Sequence, residues 1–598
     1  AEALRGSIIK CYYLDVRRIK RRLTFEGVEQ VLAGLEKKLY ENIFIPGMRT
    51  DLSRKEILET LYGIKETLIY KHNSLFLHLV ESLINKVLIF GLHFTSLDIR
   101  QDSSKHGSTL NSVALQCDSL GVGYAALPDD EKIQRLADVK PLQRALKLDD
   151  EVERDCIDVV KAIKTIQYKN GEEGCNRYII SQCNSALNVM EVYGLFLLGG
   201  WKAEELTVDI VPLFETIEDL QQAASIMKEL YENKTYLQHI QRRKNNQTIM
   251  VGFSDGTKDG GYMMANWSIY KAKEELTALS RLYNIDVVFF DGRGGPPARG
   301  GGKTHKFYAS MGKNIASKEI QLTIQGQTVS SNFGMIDAAQ YNMEQLVNAG
   351  LFNELFSDKP NTLDEEQEQL INDLATESFN AYSALKNHPV FLDYLGHASP
   401  LKFYAETNIG SRPAKRGGSG GKLSLKDLRA IPFVGAWSQL KQNVTGYYGV
   451  GSALKKARES GKLNDLKKLY KESLFFRTLI DNCEMSMKKC YFPLTFFLAN
   501  HPVYGEIWND IYNEFELTKE HLFLLTGNSE LMQDYPVEQL SIQMRERIVL
   551  PLITIQQYAI TRVREMEEKL VNNPERDVFG KLVMRCSFGI INAGRNSA

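Results

Sequence analysis

Short apolar runs that end in a charged residue recur through the first half of the chain and constrain its fold most. Ile210–Phe214 ends at Glu215, and Ile249–Ser254 ends at Asp255. Such runs are typical of buried strands, and the two carboxylates are separated by about one strand–helix unit, roughly 30 or more residues. The spacing predicts parallel strands whose charged residues meet on one face, as in a (β/α) barrel. The pattern recurs at Leu97–Ile99 before Arg100 and at Asp286–Phe290 before Asp291.

The predicted fold class is therefore α/β and predominantly α-helical, with a (β/α)8 TIM-type barrel, incomplete in this chain, surrounded by many helices. We expect a single domain over residues 1–598: a helical lead-in over 1–90, barrel strands and loops over 91–330, and a helical C-terminal region over 331–598. Ser53 and Glu56 predict a capped helix start. Further strands are predicted at Arg177–Ser181, Thr207–Phe214, Thr248–Ser254, Val287–Phe290 and Ile320–Ile324.

Two loops concentrate arginine and glycine: DGRGGPPARGGGK at Asp291–Lys303 and GSRPAKRGGSGGK at Gly410–Lys422. Glycine lets a backbone approach a ligand closely, and the planar arginine fork suits phosphate and carboxylate. The loops indicate an anionic ligand, although solvated, mobile loops are an alternative of equal weight.

Several classes of protein are disfavoured. Arg299–Thr304 nearly matches a phosphate-binding P-loop, but Pro297 stands where glycine is needed. The Arg-Gly-Gly triplets are isolated, unlike repeated RNA-binding segments, and a net charge of -1 attracts neither nucleic acid nor membrane. No apolar run reaches the roughly 18 residues of a membrane span. The eight cysteines form no CxxC pair, which favours a reducing cytoplasm.

Glu215 and Asp255 allow two interpretations. Both carboxylates could simply cap the helices that follow, with Thr216 and Asp219 forming a cap beside Glu215. Alternatively, two hard oxygen ligands from neighbouring strand ends, completed by water and substrate, describe a Mg²⁺ site.

Segments along the chain carry a resemblance to a known family. They are LDIRQDSSKH (97–106), PLFET (212–216), GFSDGTKDGG (252–261), FDGRGGPPARGGG (290–302), TIQGQ (323–327), NIGSRPAKR (408–416) and LRAIPFVGAW (428–437). In this order they resemble the motifs of phosphoenolpyruvate carboxylase. The resemblance covers essentially the whole chain, up to Arg595–Ala598.

The resemblance implies a carbon–carbon lyase. This family makes oxaloacetate and phosphate from phosphoenolpyruvate and bicarbonate, through carboxyphosphate and an enolate, with Mg²⁺ or Mn²⁺, as an anaplerotic supply to the tricarboxylic acid cycle. It further implies a cytoplasmic homotetramer inhibited by aspartate or malate, with no nucleic-acid or membrane partner.

Motif by motif, the resemblance also implies residue roles. Glu215 and Asp255 resemble the metal ligands. The substrate-binding or catalytic positions are Arg100, Lys258, Arg293, Arg299, Arg412 and Arg429. The inhibitor-binding positions are Arg299, Lys489, Arg545 and Asn596.

The chain departs from the family pattern at several points. Asp291 stands where the family usually has a histidine implicated in bicarbonate use, and its charge is expected to repel bicarbonate unless an arginine neutralises it. Gln327 replaces a glutamate and Asn332 a lysine. The essential histidine of a TAHPT segment has no counterpart, so we expect a fragment that binds poorly or catalyses only the early steps. The alternative is a non-catalytic relative that binds dicarboxylates such as aspartate.

Overall fold

The computed structural model describes residues 2–45, 47–48, 52–121, 123–144, 146–355, 362–406, 424–425, 428–568 and 574–594. The chain forms two compact units. The first comprises Ala1–Pro212 and Glu229–Gln247, and the second comprises Leu213–Lys228 and Thr248–Ala598. The whole second Arg/Gly loop, including Arg412, and the C-terminal Asn596 lie outside the described residues.

The strands are parallel and follow one another in chain order. They are β1 Asp98–Asp102, β2 Arg177–Ser181, β3 Asp209–Phe214, β4 Asn246–Gly252, β5 Asp286–Gly292 and β6 Ile320–Leu322. In the first unit, β2 pairs with β1 and with the start of β3. In the second unit, the end of β3 pairs with β4, and β5 pairs with β6. Strands are present at all the predicted positions, but two of them run further than expected. β1 continues to Asp102 and β5 to Gly292, so Arg100 and Asp291 lie within strands instead of following them.

The bounds of β4 differ from the prediction because a helix begins earlier than expected. Gly252 is the N-cap residue of that helix, so Phe253 and Ser254 form its first turn instead of extending the strand. The α/β, mostly helical class is confirmed. That the sheet belongs to a (β/α)8 barrel, and that residues 1–598 form one domain, remain predictions.

Helices make up most of the described chain. In chain order they are α1 Glu2–Lys20, α2 Glu29–Phe44, α3 Arg54–Lys71, α4 Leu77–Phe90, α5 Ser103–Gln116, α6 Asp129–Ala137, α7 Glu151–Asn170, α8 Ala186–Leu198, α9 Ile217–Glu232, α10 Lys234–Arg242, α11 Phe253–Leu282, α12 Thr304–Ala309, α13 Gln327–Phe333, α14 Ile336–Leu355, α15 Glu365–Lys386, α16 Phe391–Ala398, α17 Ala430–Gln439, α18 Val450–Glu459, α19 Leu463–Glu472, α20 Leu474–Lys488, α21 Gly505–Thr526, α22 Pro536–Glu568 and α23 Pro574–Gly594. Within the described ranges, none is both long and apolar enough to cross a membrane.

Two predicted helix starts are confirmed. The Ser53 side chain accepts a hydrogen bond from the Glu56 amide at 3.1 Å and caps α3. At the start of α9, the Thr216 hydroxyl accepts from the Asp219 amide at 3.1 Å, and the Asp219 carboxylate accepts from the Thr216 amide at 3.0 Å. These bonds satisfy amides that the helix itself leaves without partners.

Each unit contains an apolar core. In the first, α1 to α4 bury residues spaced at helical intervals, including Leu32, Leu61 and Leu83. In the second, Trp437 of α17 is fully buried among rings that include Tyr394 and Phe433. The apolar run at 430–437 is therefore a core helix, and this helix fixes the position of Arg429 at its N-terminus.

Helix α11 is interrupted at Gly261, where φ is 77°. A Cβ atom there would lie 2.9 Å from Cγ of Tyr382, so both the backbone conformation and the available space require glycine. The break separates a first segment that carries Asp255 and Lys258 from a long segment that carries Lys273.

Candidate active site

Glu215 and Asp255 lie at the carboxyl ends of neighbouring strands in the second unit. Leu213 pairs with Met250 and Phe214 with Val251, so β3 and β4 end side by side. A Cβ atom on Gly252 would lie 3.1 Å from Cγ of Glu215, which places the end of β4 directly against this glutamate. Asp255 follows in the first turn of α11.

The chemistry of these two side chains fits a hard divalent cation. Mg²⁺ is usually bound through one or two carboxylates, with water and substrate oxygens completing six positions. Among the described residues, no group of three or more His, Cys, Asp or Glu side chains could hold a metal ion. A metal site made of Glu215, Asp255 and substrate oxygens stays a prediction. The capping bonds at the start of α9 come from Thr216 and Asp219.

The first Arg/Gly loop, Asp291–Lys303, is folded onto the start of α11. Arg293 is 4% exposed, and its Nε donates to the Gly300 carbonyl at 2.6 Å. Gly300 has φ of 75°, and a Cβ atom there would lie 2.2 Å from the Phe253 ring. This packing overturns the solvated-loop interpretation for the first loop.

Arg299 contacts two of the predicted site motifs, GFSDGTKDGG (252–261) and TIQGQ (323–327). Its Nε donates to the Ser254 hydroxyl at 3.0 Å, and its Nη2 donates to Gln325 Oε1. Burial lowers the pKa of Arg299 to about 10, while the negative charge of Asp255 opposes this shift. Arg299 thus places a guanidinium beside one of the two predicted metal ligands.

Lys258 and Arg429 are brought together from distant parts of the chain. Lys258 Nζ donates to the carbonyl of Leu428 at 2.5 Å, and Leu428 precedes Arg429, the N-cap residue of α17. The Tyr382 hydroxyl donates to the Lys258 carbonyl at 3.1 Å and holds this segment. Arg100 belongs to the first unit, where it lies on β1 with its guanidinium 3.8 Å from Asp98.

Asp291 is fully buried and paired. Lys273 Nζ lies 2.6 Å from its Oδ1, and the Tyr308 hydroxyl donates to its Oδ2 at 2.7 Å. The sequence led us to expect an arginine as the neutralising partner of Asp291, whereas the structure shows a lysine. Lys273 lies in the charged run Lys271–Glu275, so its charge did not single it out in the sequence. Its helical spacing from the buried Ile269 and Leu276 was the only signal that it faces the core.

A cavity of about 480 Å³ lies beside the first Arg/Gly loop. Lys489, Arg545 and Arg293 line it, and Gln325 connects it to Arg299. Burial lowers the pKa of Lys489 to about 7, with the positive charges of Lys441 and Arg545 acting in the same direction. Several cations facing one cavity favour an anionic ligand.

Asn332 and Gln327 are the two other positions at which the chain departs from the family pattern. Asn332 lines the cavity, and its backbone carbonyl accepts a hydrogen bond from Asn342 Nδ2 at 3.2 Å. Gln327 begins α13. The ion pair between Lys303 and Glu538 joins the first Arg/Gly loop to α22 and was not predicted, because no local pattern relates the two residues.

The chain is thus an α/β protein with carboxylates after the ends of adjacent parallel strands and with several cationic side chains around one cavity. The sequence model of the phosphoenolpyruvate carboxylase family matches residues 9–596. The chain belongs to this family.

Similar proteins bear the same name. A phosphoenolpyruvate carboxylase of Corynebacterium diphtheriae is 32% identical over 81% of this chain and 55% of its own length. One from Synechococcus is 31% identical over 86% of this chain and 50% of its own length, and one from Corynebacterium efficiens is 32% identical over 80% and 54%. The chain spans about half the length of the curated relatives it matches.

Proposed function

We propose that the protein containing this chain carboxylates phosphoenolpyruvate with bicarbonate to give oxaloacetate and phosphate. The observation that carries the proposal is the pair of carboxylates, Glu215 and Asp255, at adjacent strand ends with Arg299 beside Asp255. The family match includes all of these residues, and it disfavours the alternative of a non-catalytic dicarboxylate-binding relative.

Each step of this reaction handles anions. A bicarbonate oxygen attacks phosphorus, the bond from phosphorus to the enol oxygen breaks, and its electron pair remains on the enolate. Carboxyphosphate then releases CO₂ and phosphate, and the enolate carbon attacks CO₂. Phosphoryl and carboxylate groups are bound best by arginine forks in a site that excludes water.

Glu215 and Asp255 would hold a divalent cation, Mg²⁺ or Mn²⁺, which when bound supplies positive charge opposite the developing enolate. Arg299 would orient the phosphoryl oxygens, because its contact with Ser254 fixes its guanidinium beside Asp255. Lys258 and Arg293 would bind further anionic groups. We assign Arg100, Arg412 and Arg429 to substrate binding on the basis of their motifs.

The cationic cavity would bind the inhibitor, aspartate or malate. Lys489 and Arg545 would contact its carboxylates, and Arg299 would communicate with the cavity through Gln325. Asn596 would complete this set. We further propose a cytoplasmic homotetramer, as the family resemblance implies.

The test measures oxaloacetate formation by the intact protein, coupled to malate dehydrogenase. Glu215→Gln and Asp255→Asn should each lower kcat by roughly 10²–10³, the loss typical of one removed charge-stabilising group. The matched control is Glu218→Gln, which should retain wild-type rates. Glu218 is an exposed glutamate in the first turn of α9, the helix that follows Glu215. A folded wild-type protein that makes no oxaloacetate would refute the proposal.

A further inference from the structure

The ion pair between Lys273 and Asp291 is withdrawn from solvent. The two residues are 1% and 0% exposed. Burial is the main cause that lowers the pKa of Lys273, the positive charge of Arg293 adds to it, and the adjacent Asp291 carboxylate opposes the shift. Burying two charges carries a desolvation free energy that an apolar pair of the same size does not carry. Buried ion pairs are therefore weak sources of stability. A role in fixing geometry accounts better for its presence.

The same carboxylate joins the two ends of the first Arg/Gly loop. Asp291 is the penultimate residue of β5, just before the chain leaves the strand, and Tyr308 lies on α12, which the chain enters after the loop. Their hydrogen bond links residues 17 positions apart. With Lys273 on α11, three elements therefore meet at one buried carboxylate.

Arg293 rests on this cluster. Its guanidinium carbon lies 4.1 Å from the ring centroid of Phe307, the neighbour of Tyr308. Lys273 Nζ lies 5.3 Å from the same ring. On its other side, Arg293 donates to the carbonyls of Gly300 and Gly301, within its own loop. A shift of Tyr308 would therefore move the ring that supports Arg293.

We propose that Lys273, Asp291 and Tyr308 form a clamp that closes the base of the first Arg/Gly loop and positions Arg293 for anion binding. All three are positioning residues, and the inference rests on the proposed function. Position 291 then anchors the loop and does not contact bicarbonate, because the carboxylate faces Lys273 and Tyr308 and is inaccessible to solvent. Preorganised placement matters because a displacement of about 1 Å can cost roughly 10²-fold in rate.

The first test removes one hydrogen bond without changing charge. Tyr308→Phe in the intact protein should lower kcat/KM for phosphoenolpyruvate at least tenfold and accelerate amide exchange in residues 293–303. The control is Tyr262→Phe, which removes a buried tyrosine hydrogen bond of 2.9 Å to the Leu479 carbonyl and should leave both quantities within twofold of wild type. Equal effects of the two substitutions on kinetics and exchange would overturn the clamp.

The second test asks whether Asp291 contacts bicarbonate. Lys273→Met and Asp291→Asn alone each leave one uncompensated buried charge and should lower the melting temperature. The double variant is neutral and retains an acceptor for Tyr308, so its KM for bicarbonate should stay within threefold of wild type. A tenfold rise in that KM in the folded double variant would show a direct contact and overturn the anchor role.

The two proposals can fail separately. If the wild-type protein forms no oxaloacetate, the proposed function fails, while amide exchange in Tyr308→Phe and Tyr262→Phe still decides whether the clamp holds the loop.

Discussion

At the scale of single residues, Lys489 shows how packing sets chemistry. It is 6% exposed and follows α20, with Lys441 and Arg545 as positive neighbours. Burial is the largest cause of its lowered pKa, about 7, because a charged amine loses its hydration. The residue therefore changes charge near neutral pH, where an unperturbed lysine would remain cationic.

We expect this titration to govern malate binding in the cationic cavity. Below about pH 7 Lys489 is protonated and attracts a dianion, whereas above that pH it is neutral in the free protein. Binding must then take up a proton, so affinity should fall as pH rises, by up to tenfold per pH unit. Calorimetric titration between about pH 6 and pH 8.5 measures the slope.

Matched variants identify the titrating group. Lys489→Met should bind malate weakly with a flattened pH dependence. Lys488→Met, which removes the adjacent lysine that lies near Glu530, should retain the wild-type slope. An unchanged slope in Lys489→Met would exclude Lys489 as the group responsible.

At the scale of elements, the site depends on how strands end and helices begin. β4 ends at Gly252 because α11 starts there, and this early start brings Asp255 into a helical first turn beside the end of β3. The break at Gly261 then sets the direction of the segment that carries Lys273. The break at Gly261 therefore affects the placement of both the proposed metal ligand Asp255 and the clamp residue Lys273.

Gly261→Ala should destabilise the second unit by about 1–3 kcal/mol, the usual cost of a strained backbone conformation. The added Cβ would also lie 2.9 Å from Cγ of Tyr382. The control is Gly350→Ala in α14, where no atom lies within 4 Å of the new Cβ and alanine favours the helix. Urea unfolding followed by circular dichroism should show a lowered midpoint for the first variant only; equal midpoints would contradict the expected strain.

At the scale of the whole molecule, each compact unit has its own apolar core, and the proposed metal ligands and cationic cavity all belong to the second. A ligand that binds only the folded state stabilises the molecule by mass action, about 2.7 kcal/mol at a hundredfold excess over Kd. Metal binding should therefore be visible in thermal unfolding, independently of turnover.

We expect Mn²⁺ to raise the melting temperature of the intact wild-type protein and EDTA to reverse the shift. The double variant Glu215→Gln/Asp255→Asn should show no shift, because both oxygen-anion ligands are lost. Glu218→Gln should respond as the wild type does. A full Mn²⁺ shift in the double variant would place the metal elsewhere in the molecule.

The amino-acid sequence by itself determined which segments form strands, the Ser53 and Thr216 caps, and the placement of Glu215 and Asp255 after adjacent strands. These features follow from residues close together in the chain, since periodicity and turn chemistry are local. Only the tertiary structure decided that Lys273 neutralises Asp291 and that Lys489 and Arg545 share a cavity. Burial and charge partners depend on which distant elements pack together, and no local pattern encodes that choice.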